Sequence, residues 1–120
     1  MKNTPLRTIL FGRSILIAGL EASLQNHLEI KVLRRMEEIS GLELISSNEI
    51  DLVLFDNSIP EAKKIPTLLG TIPNLLVVGM DFSSHQITFY SGKEYTVNNF
   101  SDIANFIYEK SNEEYQNNNS

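Results

Sequence analysis

Cysteine is missing from all 120 positions, and so is tryptophan. Without a thiol the chain forms no disulfide, runs no thiolate chemistry and offers no zinc–thiolate site. Basic residues are outnumbered: ten Lys and Arg stand against fifteen Asp and Glu, a net charge of -5. That balance argues against a nucleic-acid or acidic-membrane surface, because phosphates attract a basic patch. The cations are scattered apart from the pairs Arg34-Arg35 and Lys63-Lys64. No apolar run approaches the roughly 20 residues that span a bilayer. Lys2 and Arg7 precede an early apolar stretch, but Gly12-Arg13-Ser14 interrupts it and no convincing cleavage site follows. The stretch therefore reads as strand plus helix, not as a signal peptide, and a cytoplasmic protein is the expectation. The 42% of hydrophobic residues is ordinary for a globular chain, and the length suits one domain with a real core.

The most telling segment is Asp51-Leu52-Val53-Leu54-Phe55-Asp56. Four apolar residues in a row predict a strand buried on both faces, as in a parallel sheet. Strands and helices alternate around it. Leu6 to Phe11 reads as a strand, and Gly12-Arg13-Ser14 as a turn with Ser14 as N-cap. Ile15 to Asn26 reads as a helix whose Leu16, Gly19, Leu20, Ser23 and Leu24 face the sheet. Leu28 to Leu33 alternates and predicts a strand near an edge. Met36 to Asn48 has no clear period and is broken by Gly41, although Leu42 to Ser47 suits one or two helical turns. Glu61 to Leu69 is a short helix that Pro66 kinks or ends early. Asn74 to Gly79 is a second continuously apolar strand. Gln86 to Tyr90 and Lys93 to Val97 then predict a hairpin across Ser91-Gly92. A last helix starts near Ser101-Asp102, with Ser101 as cap and Ile103, Phe106 and Ile107 on one face. From Ser111 onward the chain is Asn, Glu, Gln and Ser with one tyrosine, which predicts a disordered tail over 111–120. The whole reads as one domain over 1–110, with a parallel sheet between helices.

Three segments resemble the receiver domain of response regulators. Ile9 to Leu24, with Ala18-Gly19-Leu20-Glu21-Ala22-Ser23-Leu24, resembles its first strand and helix. Asp51 to Pro60 resembles the phosphoacceptor strand and loop, and Val97 to Ile103 the last strand-to-helix junction. The resemblance runs from Leu6 to Lys110. It implies a three-layer α/β/α, flavodoxin-like fold with a central parallel sheet in the order 2-1-3-4-5. A hairpin replaces the fourth helix. Asp56 takes the phosphoacceptor position. The other working parts of a receiver are replaced. Phe11-Gly12-Arg13 stands where two acids would hold magnesium, Val78-Gly79-Met80 where a hydroxyl would end the fourth strand, and Asn98 where a lysine would pair with the phosphoryl group. The resemblance thus implies a degenerate pseudo-receiver: a non-catalytic signalling module acting through a protein partner or self-association, without standard magnesium-dependent phosphorylation of Asp56. No enzyme chemistry, metal site or cofactor is indicated. One alternative is a small-molecule or anion sensor using the cleft at Gly12, Arg13, Asp56, Gly79 and Asn98. Another is a divergent receiver phosphorylated on Asp56.

Individual residues carry paired readings. Asp56 is either a signal-receiving carboxylate or one that caps Asn57-Ser58 by hydrogen bonding. Arg13 either pairs with Asp56 in place of a metal, using its planar fork, or is a solvated surface residue. Gly12-Arg13-Ser14 at a helix N-terminus could attract an anion, but the G-x-G-x-x-G fingerprint is absent. Asp81 is expected to cap Ser83-Ser84, and His27 and His85 read as surface residues. Phe89, Tyr90 and Tyr95 of the hairpin form a partner contact or cover the core.

Overall fold

The computed structural model describes residues 5–37, 50–69, 72, 74–90, 93–97 and 103–118. The elements are β1 (Leu6–Phe11), α1 (Ile15–Gln25), β2 (Ile30–Met36), β3 (Leu52–Asp56), α2 (Lys64–Leu69), β4 (Leu76–Asp81), β5 (Gln86–Phe89), β6 (Lys93–Thr96) and α3 (Ile103–Asn118). They form one mixed sheet in the order β2-β1-β3-β4-β5-β6. β1 runs parallel to β2 and to β3, and β3 runs parallel to β4. The expected parallel fifth strand in the order 2-1-3-4-5 is corrected here. β5 pairs antiparallel with β4, and β6 antiparallel with β5. Chain length decides this. Residues 82–85 alone separate β4 from β5, whereas a parallel return needs a crossover of a dozen residues or more. The hairpin is therefore part of the sheet: β5 lies antiparallel beside β4, and β6, antiparallel to β5, returns to the direction of β4 and forms that edge.

Side-chain alternation splits the core into two clusters. Leu6 and Leu10 of β1, Leu52 and Leu54 of β3, and Leu76, Val78 and Met80 of β4 pack with α1 and α3. Ile9, Phe11, Val53, Phe55 and Val77 point to the other face and pack with Ile65 and Leu69 of α2. Both faces of β3 are covered, and every residue from Leu52 to Asp56 is buried. That is the burial its unbroken apolar run predicts.

Several local expectations shift. The face of α1 on the sheet is Ile17, Leu20 and Leu24, while Leu16 is 53% exposed and Gly19 has open space around it. Both sets of residues recur at helical spacing, and only the position of the sheet chooses between them. β2 starts at Ile30 and continues to Met36, leaving Leu28 89% exposed outside it. Its register against β1 slips at Leu33, between the pairs Thr8↔Val32 and Ile9↔Arg34. The extra residue interrupts the alternation and lets Met36 turn toward α2. Pro66 lies in the first turn of α2, where a missing N–H has no partner to lose. The Gly41 break, the Ser91-Gly92 turn and the Ser101 cap lie outside the described residues.

The largest correction concerns the tail. α3 continues to Asn118, through the segment that composition reads as disordered. Ile103, Ile107, Ser111 and Glu114 are all buried, and their spacing makes one continuous stripe along the helix. The stripe passes from apolar to polar residues halfway along, so composition alone misses it. A chain ending at Lys110 is expected to lose roughly 1 kcal/mol or more of stability, measured as a lower urea midpoint. An unchanged midpoint would mean that 111–118 contributes nothing.

Candidate functional site

The C-terminal end of β3 is where an open α/β sheet presents its functional residues, and Asp56 is there. It is 1% exposed. A buried carboxylate needs donors, and three serine groups supply them. The Ser58 backbone amide donates to Oδ1 at 2.9 Å and the Ser58 hydroxyl to the same oxygen at 2.7 Å. The Ser14 hydroxyl donates to Oδ2 at 3.1 Å. Ser14 Oγ also accepts from the Ile17 amide at 3.3 Å, so one side chain caps α1 and holds Asp56. The capping reading of Asp56 matches these contacts. The link from Ser14 to Asp56 leaves no trace in sequence spacing, because the two residues lie on different elements.

Two glycines make room for this arrangement. A Cβ on Gly12 would stand 2.7 Å from Ile17 Cγ1 and 3.2 Å from Asp56 Cβ. A Cβ on Gly79 would stand 2.9 Å from both Asn57 Nδ2 and Phe55 Cζ. Asn57 therefore lies across β4, and its amide donates to the Met80 carbonyl at 2.9 Å. Gly12 and Gly79 both belong to the end of the sheet that holds Asp56. Asn98 lies outside the described residues.

Arg13 does not pair with Asp56. Its Nη2 lies 3.6 Å from Glu61 Oε2, with the Arg13 side chain 51% exposed. The buried oxygens of Asp56 are already engaged by shorter serine contacts, and the guanidinium stays in solvent, where its hydration is kept. Nor do the three hairpin aromatics form one contact patch. Phe89 is buried in the core. Tyr95 packs edge-on against Phe89 and Phe106 at 5.7 and 5.5 Å, with Lys110 Nζ 5.1 Å above its ring. Tyr90 is 46% exposed and stacks on Phe55 at 5.7 Å.

Asp81 caps the turn between β4 and β5. Its Oδ1 accepts from the Ser83 amide, the Ser83 hydroxyl and the Ser84 amide at 3.0, 2.7 and 3.2 Å. His85 closes that turn in the left-handed region, at φ 59°. His27 is a half-buried surface residue. Its Nδ1 accepts from the Glu29 amide at 3.1 Å, which places the proton on Nε2, 2.7 Å from Asn105 Oδ1. Among the described residues no three His, Asp or Glu side chains converge in a way that would hold a metal ion. No helix among them is long and apolar enough to cross a membrane.

No family model, curated protein or solved structure matches the chain.

Ser14→Ala removes a helix cap and a donor to Asp56 together. It is expected to cost about 1–3 kcal/mol, more than an isolated cap loss, read from chemical denaturation. Asp81 tests a second carboxylate cap. Its carboxyl is held below the ordinary carboxylate value, first by the Ser83 hydroxyl and then by the Ser84 amide. The stabilisation is therefore complete above the ordinary carboxylate value and disappears as pH falls through the lowered one. Ser83→Ala should move the Asp81 titration upward in an NMR pH series. A titration that stays put would show that Ser83 is not the cause.

Proposed function

We propose that this chain is a receiver-like signalling module that works through protein contacts and uses Asp56 as a structural carboxylate. The observation that carries the reading is the state of Asp56: buried, with Oδ1 taken by two donors of Ser58 and Oδ2 by Ser14. To attack a phosphoryl group, a carboxylate oxygen must meet the phosphorus in line, and the repulsion between two anions must be offset. Here the oxygens face serine hydroxyls, and the first loop reads Phe11-Gly12-Arg13, without an acid to hold a divalent cation. The nearby cation, Arg13, is drawn to Glu61. The β2-β1-β3-β4 order is the one that the receiver resemblance implies, and the antiparallel β5 inserted between β4 and β6 departs from it.

The same geometry weakens the anion-sensor alternative. The α1 N-terminus that would attract an anion already faces the Asp56 carboxylate through Ser14, so an incoming anion would meet like charge.

Intact-mass measurement after incubation with a small phosphodonor and magnesium, beside Asp56→Asn, tests the proposal. The expected result is no phosphoryl adduct under conditions that modify an ordinary receiver. An adduct on the parent protein that disappears in Asp56→Asn would make this a working, divergent receiver.

A further inference from the structure

Resting on the reading that the chain works through protein contacts, we infer that the outer edge of β2 takes an added strand, and that its occupant is an extended segment of a partner protein with carboxylates on alternate residues. β2 is the end strand of the sheet, hydrogen-bonded to β1 alone among the described elements. An edge strand keeps a row of backbone donors and acceptors that a second chain can pair with. The sequence of this edge is one-sided in charge. Ile30-Lys31-Val32-Leu33-Arg34-Arg35-Met36 holds three of the chain's ten cations and no acid, in a protein of net charge -5. Arg35 is engaged by Glu21 of α1 at 3.7 Å. Lys31 and Arg34 are exposed, and neither joins an ion pair among the described residues.

The register slip at Leu33 puts these two cations on one face. Residues three apart in a regular strand point to opposite sides. Here Lys31 stands beside Arg7 and Arg34 beside Ile9. Arg7 and Ile9 are two apart on β1, so Lys31 and Arg34 share the side of the sheet that Ile9 faces. Two residues of rise separate them along the sheet, about 7 Å. Glu-x-Glu in an added strand has the same spacing and carries both carboxylates on one face. Arg7 does not compete for them, because Asp51 already holds it. Charge also excludes a second copy as the occupant. Two β2 edges paired together bring three cations toward three cations with no acid between them. The charges that keep the protein from joining itself here thus favour an acidic strand. Screening over about 8 Å at physiological salt confines this selection to the edge, so the net negative charge of the whole chain opposes it little.

NMR titration of the isotope-labelled full chain with two capped synthetic peptides tests this. One is Thr-Val-Glu-Val-Glu-Val-Thr. The other, Thr-Val-Glu-Glu-Val-Val-Thr, has the same composition and charge but puts its two acids on opposite faces of a strand. The alternating peptide is expected to shift the amide signals of β2 and slow their hydrogen exchange, with a dissociation constant below about 5 mM. Its isomer should bind about fivefold more weakly, the loss of one exposed ion pair. Lys31→Glu and Arg34→Glu should each weaken the alternating peptide about tenfold, since each replaces an attraction with a repulsion. Their circular-dichroism spectra should match the parent, because both side chains are exposed. No shift on β2 up to about 5 mM, equal binding of the two peptides, or a titration indifferent to Lys31→Glu and Arg34→Glu would each overturn the inference. Any of these would leave the protein-contact reading in place at a different surface, whereas a phosphoryl adduct on Asp56 would remove that reading itself.

Discussion

Strand β3 must satisfy its polar ends while its middle is buried on both faces, and the rest of the fold depends on how it does so. An aspartate stands at each end, and each is tied back toward β1. Asp51, 4% exposed, accepts from the Arg7 amide at 2.8 Å and from the Arg7 guanidinium at 3.1 and 3.2 Å. Its own amide donates to the Arg7 carbonyl at 2.8 Å, and its carbonyl accepts from Leu76 of β4. At the other end Asp56 is held by Ser14 and Ser58. Buried carboxylates are costly unless fully hydrogen-bonded. Meeting that demand at both ends holds β1, β3, β4 and the start of α1 in one register.

The structural role of Asp56 bears directly on function. A signal-receiving carboxylate must keep an oxygen accessible, and a structural one must surrender both. Here a single serine hydroxyl caps a helix and binds Asp56, which couples helix start to strand end. Among the described residues near this end, Ile15, Leu16 and Arg13 are exposed.

The hairpin follows the same economy of space. Gly79 leaves room for Phe55 and Asn57 over β4, and Tyr90 closes over Phe55 from the turn after β5. Tyr95 meanwhile serves the opposite face, between Phe89 and Phe106 of α3. Phe89 and Tyr90, adjacent in the sequence, thus end on opposite sides of the sheet, because successive side chains of an extended chain alternate.

Much of the local structure is legible in the residues themselves. The buried β3, the Ser14 cap and the Asp81 cap all follow from patterns a few residues long, because short-range spacing sets local conformation. Other features have two solutions locally, and the tertiary structure chooses. α1 could turn either of two faces inward. β5 runs antiparallel because four residues cannot carry a crossover. Arg13 finds Glu61 instead of Asp56, because Ser14 and Ser58 already hold that carboxylate. Ser111 and Glu114 continue a buried helical stripe that their composition conceals. Local periodicity says which conformations a segment can adopt; what covers each face is decided by residues far along the chain, and only packing brings those together.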